Sequence, residues 1–160
     1  MTTYRYLVPL PPRDLSPNRR KHGAQKAPVV AAYRAEVVTA IARQEQGAGR
    51  PAAPLDRAVV TLTAGYSSRR PKREYDGAWP SGYMRWADRY RAADPDNLIA
   101  ACKALIDALG CRSAAPGDAA RLIVEDRYPH LTVQLGQPPI VGVPDWRDEG
   151  IFVEIAEVAA

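Results

Sequence analysis

The chain is poor in the residues that build covalent or metal frameworks. It has two cysteines, Cys102 and Cys111, and two histidines, His22 and His130, in 160 residues. Two thiols make no disulfide framework, and with the histidines far apart they fall short of a zinc set. Long apolar runs are also missing: no stretch of 18 apolar residues occurs, so no spanning helix is expected. The start, MTTYRYLVPLPPRD, lacks the basic-then-apolar order of a secretory leader. These absences point to a reduced, cytoplasmic protein that needs a hydrophobic core. The content allows one, at 46% hydrophobic and 25% charged residues. The length suits a single domain.

The net charge of +4 is a remainder. Residues 1–91 hold 17 Lys and Arg against 7 Asp and Glu, while residues 92–160 hold 5 against 11. The halves carry +10 and −6. Such a split speaks of partners rather than fold: the first half attracts a polyanion, and the second can hold a cation. Uneven scatter of solvated charge is the plain alternative.

Residues 3–9 read as a strand ended by Pro9, Pro11 and Pro12. Residues 13–27 read as a loop, after which Pro28 suits the first turn of a helix over 28–46, with Val30, Tyr33, Val37, Ala40 and Ile41 at helical spacing. The β-branched run Ala58 to Tyr66 predicts a strand. Asp94-Pro95-Asp96-Asn97 reads as a turn followed by a helix to about Leu109, with Leu98, Cys102, Leu105 and Leu109 as its apolar stripe and Asp96, Ala100, Lys103 and Asp107 at the same spacing opposite. Gly110 is expected to end it. Two strands over 121–127 and 131–135, possible partners in a hairpin, a loop over 136–149 and a strand from Gly150 to Val158 complete the reading. This order predicts an α+β fold: a two-layer domain with a mixed sheet of about five strands and two main helices on one face.

Two segments carry chemistry. Asp94-x-Asp96-Asn97 places two carboxylates at a helix start, where they can face one oxygen-liking cation such as Mg²⁺. The same residues are also ordinary turn and N-cap chemistry, with Asp96 as the cap. Residues 67–95 form a long connection that mixes Arg69, Arg70, Lys72, Arg73, Arg85, Arg89 and Arg91 with five of the twelve aromatics. Unstacked bases would suit it, and so would packing against the core or a second copy of the chain.

Taken together these elements resemble the RusA-type Holliday junction resolvases, notably the phage and prophage members. The shared features are Leu10-Pro11-Pro12, Ser16-Pro17-Asn18 with the basic run Arg19-Arg20-Lys21-His22, the pair Tyr33-Arg34, and Asp94-x-Asp96-Asn97-Leu98 leading into Lys103-x-x-x-Asp107-Ala108-Leu109. Gly110 and Asp118 follow, so the resemblance covers roughly residues 4–136. It implies one endonuclease domain over 1–160, with an extended loop insertion at about 67–93. The implied activity is a homodimeric, Mg²⁺-dependent endodeoxyribonuclease, with Mn²⁺ as a substitute, that resolves four-way DNA junctions by paired symmetric nicks. It makes Asp94, Asp96 and Asp118 the metal ligands and catalytic residues. Lys103 is the implied catalytic lysine, although an i,i+4 pair with Asp107 is the plainer reading of the residue. Arg13, Asn18, Arg19, Arg20, Lys21, Lys26, Arg69, Arg70, Lys72 and Arg73 suit contacts to DNA phosphates, or simply a solvated surface.

Three departures stand out. The family's adjacent acidic pair is Gly117-Asp118 here. The helix between Asn97 and Lys103 is three residues longer than in the compact form, and Ala100 occupies that form's lysine position. The 67–95 loop is larger than the family's. A non-cleaving junction-binding protein of the same fold is therefore the alternative, and a Mg²⁺ nuclease without junction preference a third reading.

Overall fold

The computed structural model describes residues 2–17, 23–67, 95–110, 119–125, 128–136, 140–143 and 149–158. Strand β1 (Thr3–Val8) is followed by a single 3-10 turn (Arg13–Leu15), helix α1 (Gly23–Ala48) and strand β2 (Ala58–Ser67). Helices α2 (Pro95–Ala101) and α3 (Lys103–Leu109) come next, then strands β3 (Leu131–Leu135), β4 (Ile140–Val143) and β5 (Gly150–Glu157). The fold is α+β with a mixed sheet ordered β1-β5-β2-β3, and β4 pairs β2 beyond β3. β5 is antiparallel to both β1 and β2, whereas β3 and β4 run parallel to β2. A parallel pair needs a crossover, and α2 and α3 lie in the connection from β2 to β3.

Alternation in the strands selects the buried face. Tyr6 and Val8 of β1, Val60, Leu62 and Ala64 of β2, and Ile151, Val153 and Ile155 of β5 are buried. Their neighbours Arg5, Thr61 and Glu154 stand in one cross-strand row on the other face, where Arg5 pairs with Glu154 at 2.7 Å. The core is one cluster that also takes Tyr33, Val37 and Ile41 from α1 and Cys102, Leu105, Ile106 and Leu109 from the α2–α3 segment.

Several local expectations change. Helix α1 starts at Gly23, with Pro28 inside it rather than at its first turn. Pro28 removes one bond near an exposed end, which the buried stripe of α1 outweighs. The 96–109 helix is divided at Cys102, yet Cys102 N bonds Leu98 O and Ile106 N bonds Cys102 O, so the helical ladder passes through the division. Pro95 opens α2, so Asp96 is a residue inside the helix rather than its cap. Gly110 ends α3 as expected, in an extended conformation (φ −80°, ψ 170°). No strand forms over the described part of 121–127. Arg121 has φ +55°, which breaks an extended run. The adjacent Leu122 and Ile123 are both buried, and Ile123 makes single bridges with Leu55 and Gly110. The expected hairpin is replaced by parallel pairing of β3 with β2, and part of the expected 136–149 loop is β4.

The free edge of β1 is closed by a side chain. Gln44 of α1 accepts from Leu7 N at 2.8 Å and donates to Leu7 O at 2.6 Å, as a neighbouring strand would. Gln44→Leu removes both bonds and leaves two main-chain groups without partners. We expect a loss of about 2 kcal/mol, read in urea as a lower midpoint at unchanged slope.

Candidate nucleic-acid and metal site

The strand pairing and helix contacts give the molecule two ends. Val8 faces Ile151, Gly65 faces Gly150 and Gly65 faces Ile140, so the last residues of β1 and β2 and the first of β4 and β5 share one end. Helix α1 runs back along β1. Tyr33 Oη donates to Pro9 O at 2.8 Å, Gln44 meets Leu7, and Tyr6 Oη donates to Gly49 O at 3.0 Å. The amino end of α1 therefore lies at the end shared by Val8 and Gly65. The α2–α3 segment runs in the same sense as α1. Tyr33 lies within electrostatic range of Cys102, and Arg50 at the far end of α1 donates to Ala120 O at 3.0 Å. Ala120 N in turn bonds Ala108 O.

The consequence is a gathering of chain connections. The 3-10 turn that begins at Arg13, the start of α1, the last residue of β2 and the start of α2 all belong to one end. Through them are attached Asn18, Arg19, Arg20 and Lys21 (before α1), Arg69, Arg70, Lys72 and Arg73 (after β2), and Asp94 (before α2). These nine residues lie outside the described residues, as does Asp118. Asp96 is the second residue of α2, and Lys26, half-buried, lies in the first turns of α1.

Asp118 is attached differently. It precedes Ala119 and Ala120, and Ala120 is bonded to Ala108 near the carboxyl end of α3. From Asp96 to Ala108 the helical rise is about 18 Å. The described chain thus resumes after Asp118 at the end opposite Asp96, and a metal shared by Asp118 and Asp96 needs the chain before Ala119 to lead back along α3. Among the described residues, no group of three His, Cys, Asp or Glu side chains could hold a metal ion.

Lys103 opens α3 on the flank of the helix that also carries Asp96, and its side chain is 66% exposed. It pairs with Asp107 one turn on, the structural role foreseen for it. Asp107 has a second cation that the sequence reading did not place. Arg34 of α1 reaches it through Nη2 to Oδ2 at 2.5 Å. Asp107 is only 14% exposed and Arg34 25%, and the Nε of Arg34 is buried without a hydrogen-bond partner. This contact joins two elements that the resemblance rests on, the Tyr33-Arg34 pair and the Lys103-to-Leu109 segment. One sign of it was legible: Arg34 flanks the buried stripe Tyr33, Val37 and Ile41, and a charge so close to a core requires a partner.

Cys102 and Tyr33 belong to the buried core. Burial pushes the Cys102 thiol up to about 12 and raises the Tyr33 phenol as well, with the Cys102 charge as the next contribution. Neither group is available as a nucleophile at neutral pH. Comparison with family models, with curated proteins and with solved structures gives no match.

Proposed function

We propose that the chain is the subunit of a homodimeric, Mg²⁺-dependent endodeoxyribonuclease that acts on four-way DNA junctions, with its helices layered on one face of the sheet. One observation carries this reading: Asp96 and the points of attachment of both basic segments share one end of the molecule. A cation-binding carboxylate beside positively charged segments is what phosphodiester hydrolysis needs. Asp94, Asp96 and Asp118 are the proposed ligands, and an all-carboxylate set suits Mg²⁺, which keeps several waters. The bound ion would supply an activated water and charge neutralisation at the phosphate. Lys103 adds positive charge beside the reacting phosphate. Arg13, Asn18, Arg19, Arg20, Lys21 and Lys26, with Arg69, Arg70, Lys72 and Arg73, hold flanking phosphates. One chain offers one metal site, so two coordinated nicks require a second copy.

A labelled four-way junction, a duplex and a single strand, each incubated with Mg²⁺, Mn²⁺ or EDTA, test this reading. We expect paired symmetric nicks in the junction, none in EDTA, and little cutting of the other two substrates. Equal cutting of all three would leave a nuclease without junction preference. The far-end position of Ala120, two residues after Asp118, favours one second reading, a junction-binding protein that does not cleave. Binding without nicks in either metal would establish it over the first.

A further inference from the structure

We propose that the outer edge of β1 from Thr3 to Arg5 is where two copies of the chain join, their β1 strands pairing antiparallel about a two-fold axis at Tyr4. This rests on the reading that two copies act together. Among the described strands, β1 pairs with β5 alone, so its other side is an edge of the sheet. Alternate residues along a strand turn their main-chain groups to opposite sides. Thr2 O accepts from Glu157 N at the end of β5, whereas Leu7 N and O meet Gln44. Thr3, Arg5 and Leu7 therefore present their N–H and C=O groups to the free side. Gln44 occupies those of Leu7 only. Among the described residues nothing bonds those of Thr3 and Arg5, and both residues are exposed.

An open edge is a template for another strand unless proline, charge or a bulge blunts it. The stretch Thr3-Tyr4-Arg5 carries no proline, and its one charge is already paired with Glu154 at 2.7 Å within the sheet. The edge complements itself in one register. Centred on Tyr4, Thr3 lies opposite Arg5 of the second copy, and each such pair exchanges both of its hydrogen bonds. Tyr4, partly buried against the core, meets Tyr4 of the second copy across the axis, a cross-strand aromatic contact. Centred on Arg5, two arginines would face each other and Leu7 would have to leave Gln44. The contact is isologous, so it closes at two copies. Its axis stands perpendicular to the joined sheet, and groups packed on one face in the first copy lie on the same face in the second.

Sedimentation velocity of the full chain without DNA, over a concentration series, reads the dimer. Thr3→Pro removes an outward N–H and leaves the bonds of β1 to β5 in place, a change an edge strand accepts. It should raise the dimer dissociation constant about tenfold. Thr3→Lys, set opposite Arg5 of the second copy, should weaken the dimer, and Thr3→Glu should tighten it. In a Cys111→Ser background, Tyr4→Cys should cross-link two copies on oxidation, reversibly with reductant. Thr3→Cys should not, because its counterpart is about 8 Å away, too far for a disulfide. Should Tyr4→Cys fail to fold, the Thr3 series decides. A chain that stays monomeric, a dimer indifferent to Thr3→Pro, or Thr3→Lys and Thr3→Glu acting alike overturns the proposal. Paired nicks from a chain whose dimer ignores these changes would keep the proposed function and place the joining surface elsewhere. A dimer joined at Tyr4 that never nicks a junction would sink the proposed function and leave the surface standing.

Discussion

An Asp96→Asn variant should bind the four-way junction with wild-type affinity and cut it at least about 10³-fold more slowly, a barrier increase of about 4 kcal/mol. The substitution keeps side-chain size and one acceptor oxygen while removing the charge that attracts a divalent cation. Because Pro95 opens α2, Asp96 is not the residue that caps it, so the change need not weaken the helix start. In the proposed function, basic residues elsewhere hold the DNA, so binding is expected not to depend on this carboxylate. Binding measured in EDTA and nicking measured in Mg²⁺ separate the two effects. Cutting at the wild-type rate by Asp96→Asn would remove Asp96 from the metal site. Asp118→Asn is the companion measurement, since the described chain resumes after Asp118 at the opposite end of the helix. A loss as deep as that of Asp96→Asn requires the chain before Ala119 to lead back to the site.

The second large effect is on stability at high pH. Cys102 is fully buried where Tyr33 of α1 meets the α2–α3 segment, and burial pushes its thiol from 9.0 up to about 12. The unfolded chain releases this proton near pH 9 and the folded chain retains it, so above pH 9 the folded state holds more protons. Stability is therefore intact below pH 9 and falls as pH rises towards 12, by about 1.4 kcal/mol per pH unit from this group alone. The total across the window is roughly 4 kcal/mol, a large share of a domain's net stability. The raised Tyr33 phenol adds to the fall above pH 10, with the same sign. In Cys102→Ala the part due to the thiol disappears. This variant starts about 1 kcal/mol less stable for the lost packing, and its urea midpoint should decline less steeply from pH 9 to 11. Parallel declines in the two proteins would show that Cys102 does not govern the alkaline limit.

Legibility in the sequence followed the range of the forces involved. The run Ala58 to Tyr66 and the stripe Leu98, Cys102, Leu105 and Leu109 are set by residue type and period, and both lie where that pattern placed them. Arg121 to Val124 misled because Leu122, Ile123 and Val124 are β-formers; contacts with Leu55, Leu109 and Gly110 decide their conformation. Strand β4 was hidden among glycines and prolines because β2, distant in sequence, supplies its hydrogen bonds. The Lys103–Asp107 pair was legible from its i,i+4 spacing. The Arg34–Asp107 contact spans 73 residues, and no local period encodes it.

By itself the sequence determined the α+β composition, the charge split between the halves, and a helix with Asp96 at one end and Lys103 and Asp107 along one flank. Each depends on composition or on a repeat of a few residues. Only the tertiary structure decided that the attachments of two basic segments lie at the end of Asp96, that the described chain resumes after Asp118 at the other end, and that one largely covered carboxylate serves two helices. Those outcomes depend on strand direction and helix packing. They are fixed by burying one face of the sheet and the stripes of α1 and α3 in a common core, a condition no short stretch of chain can express.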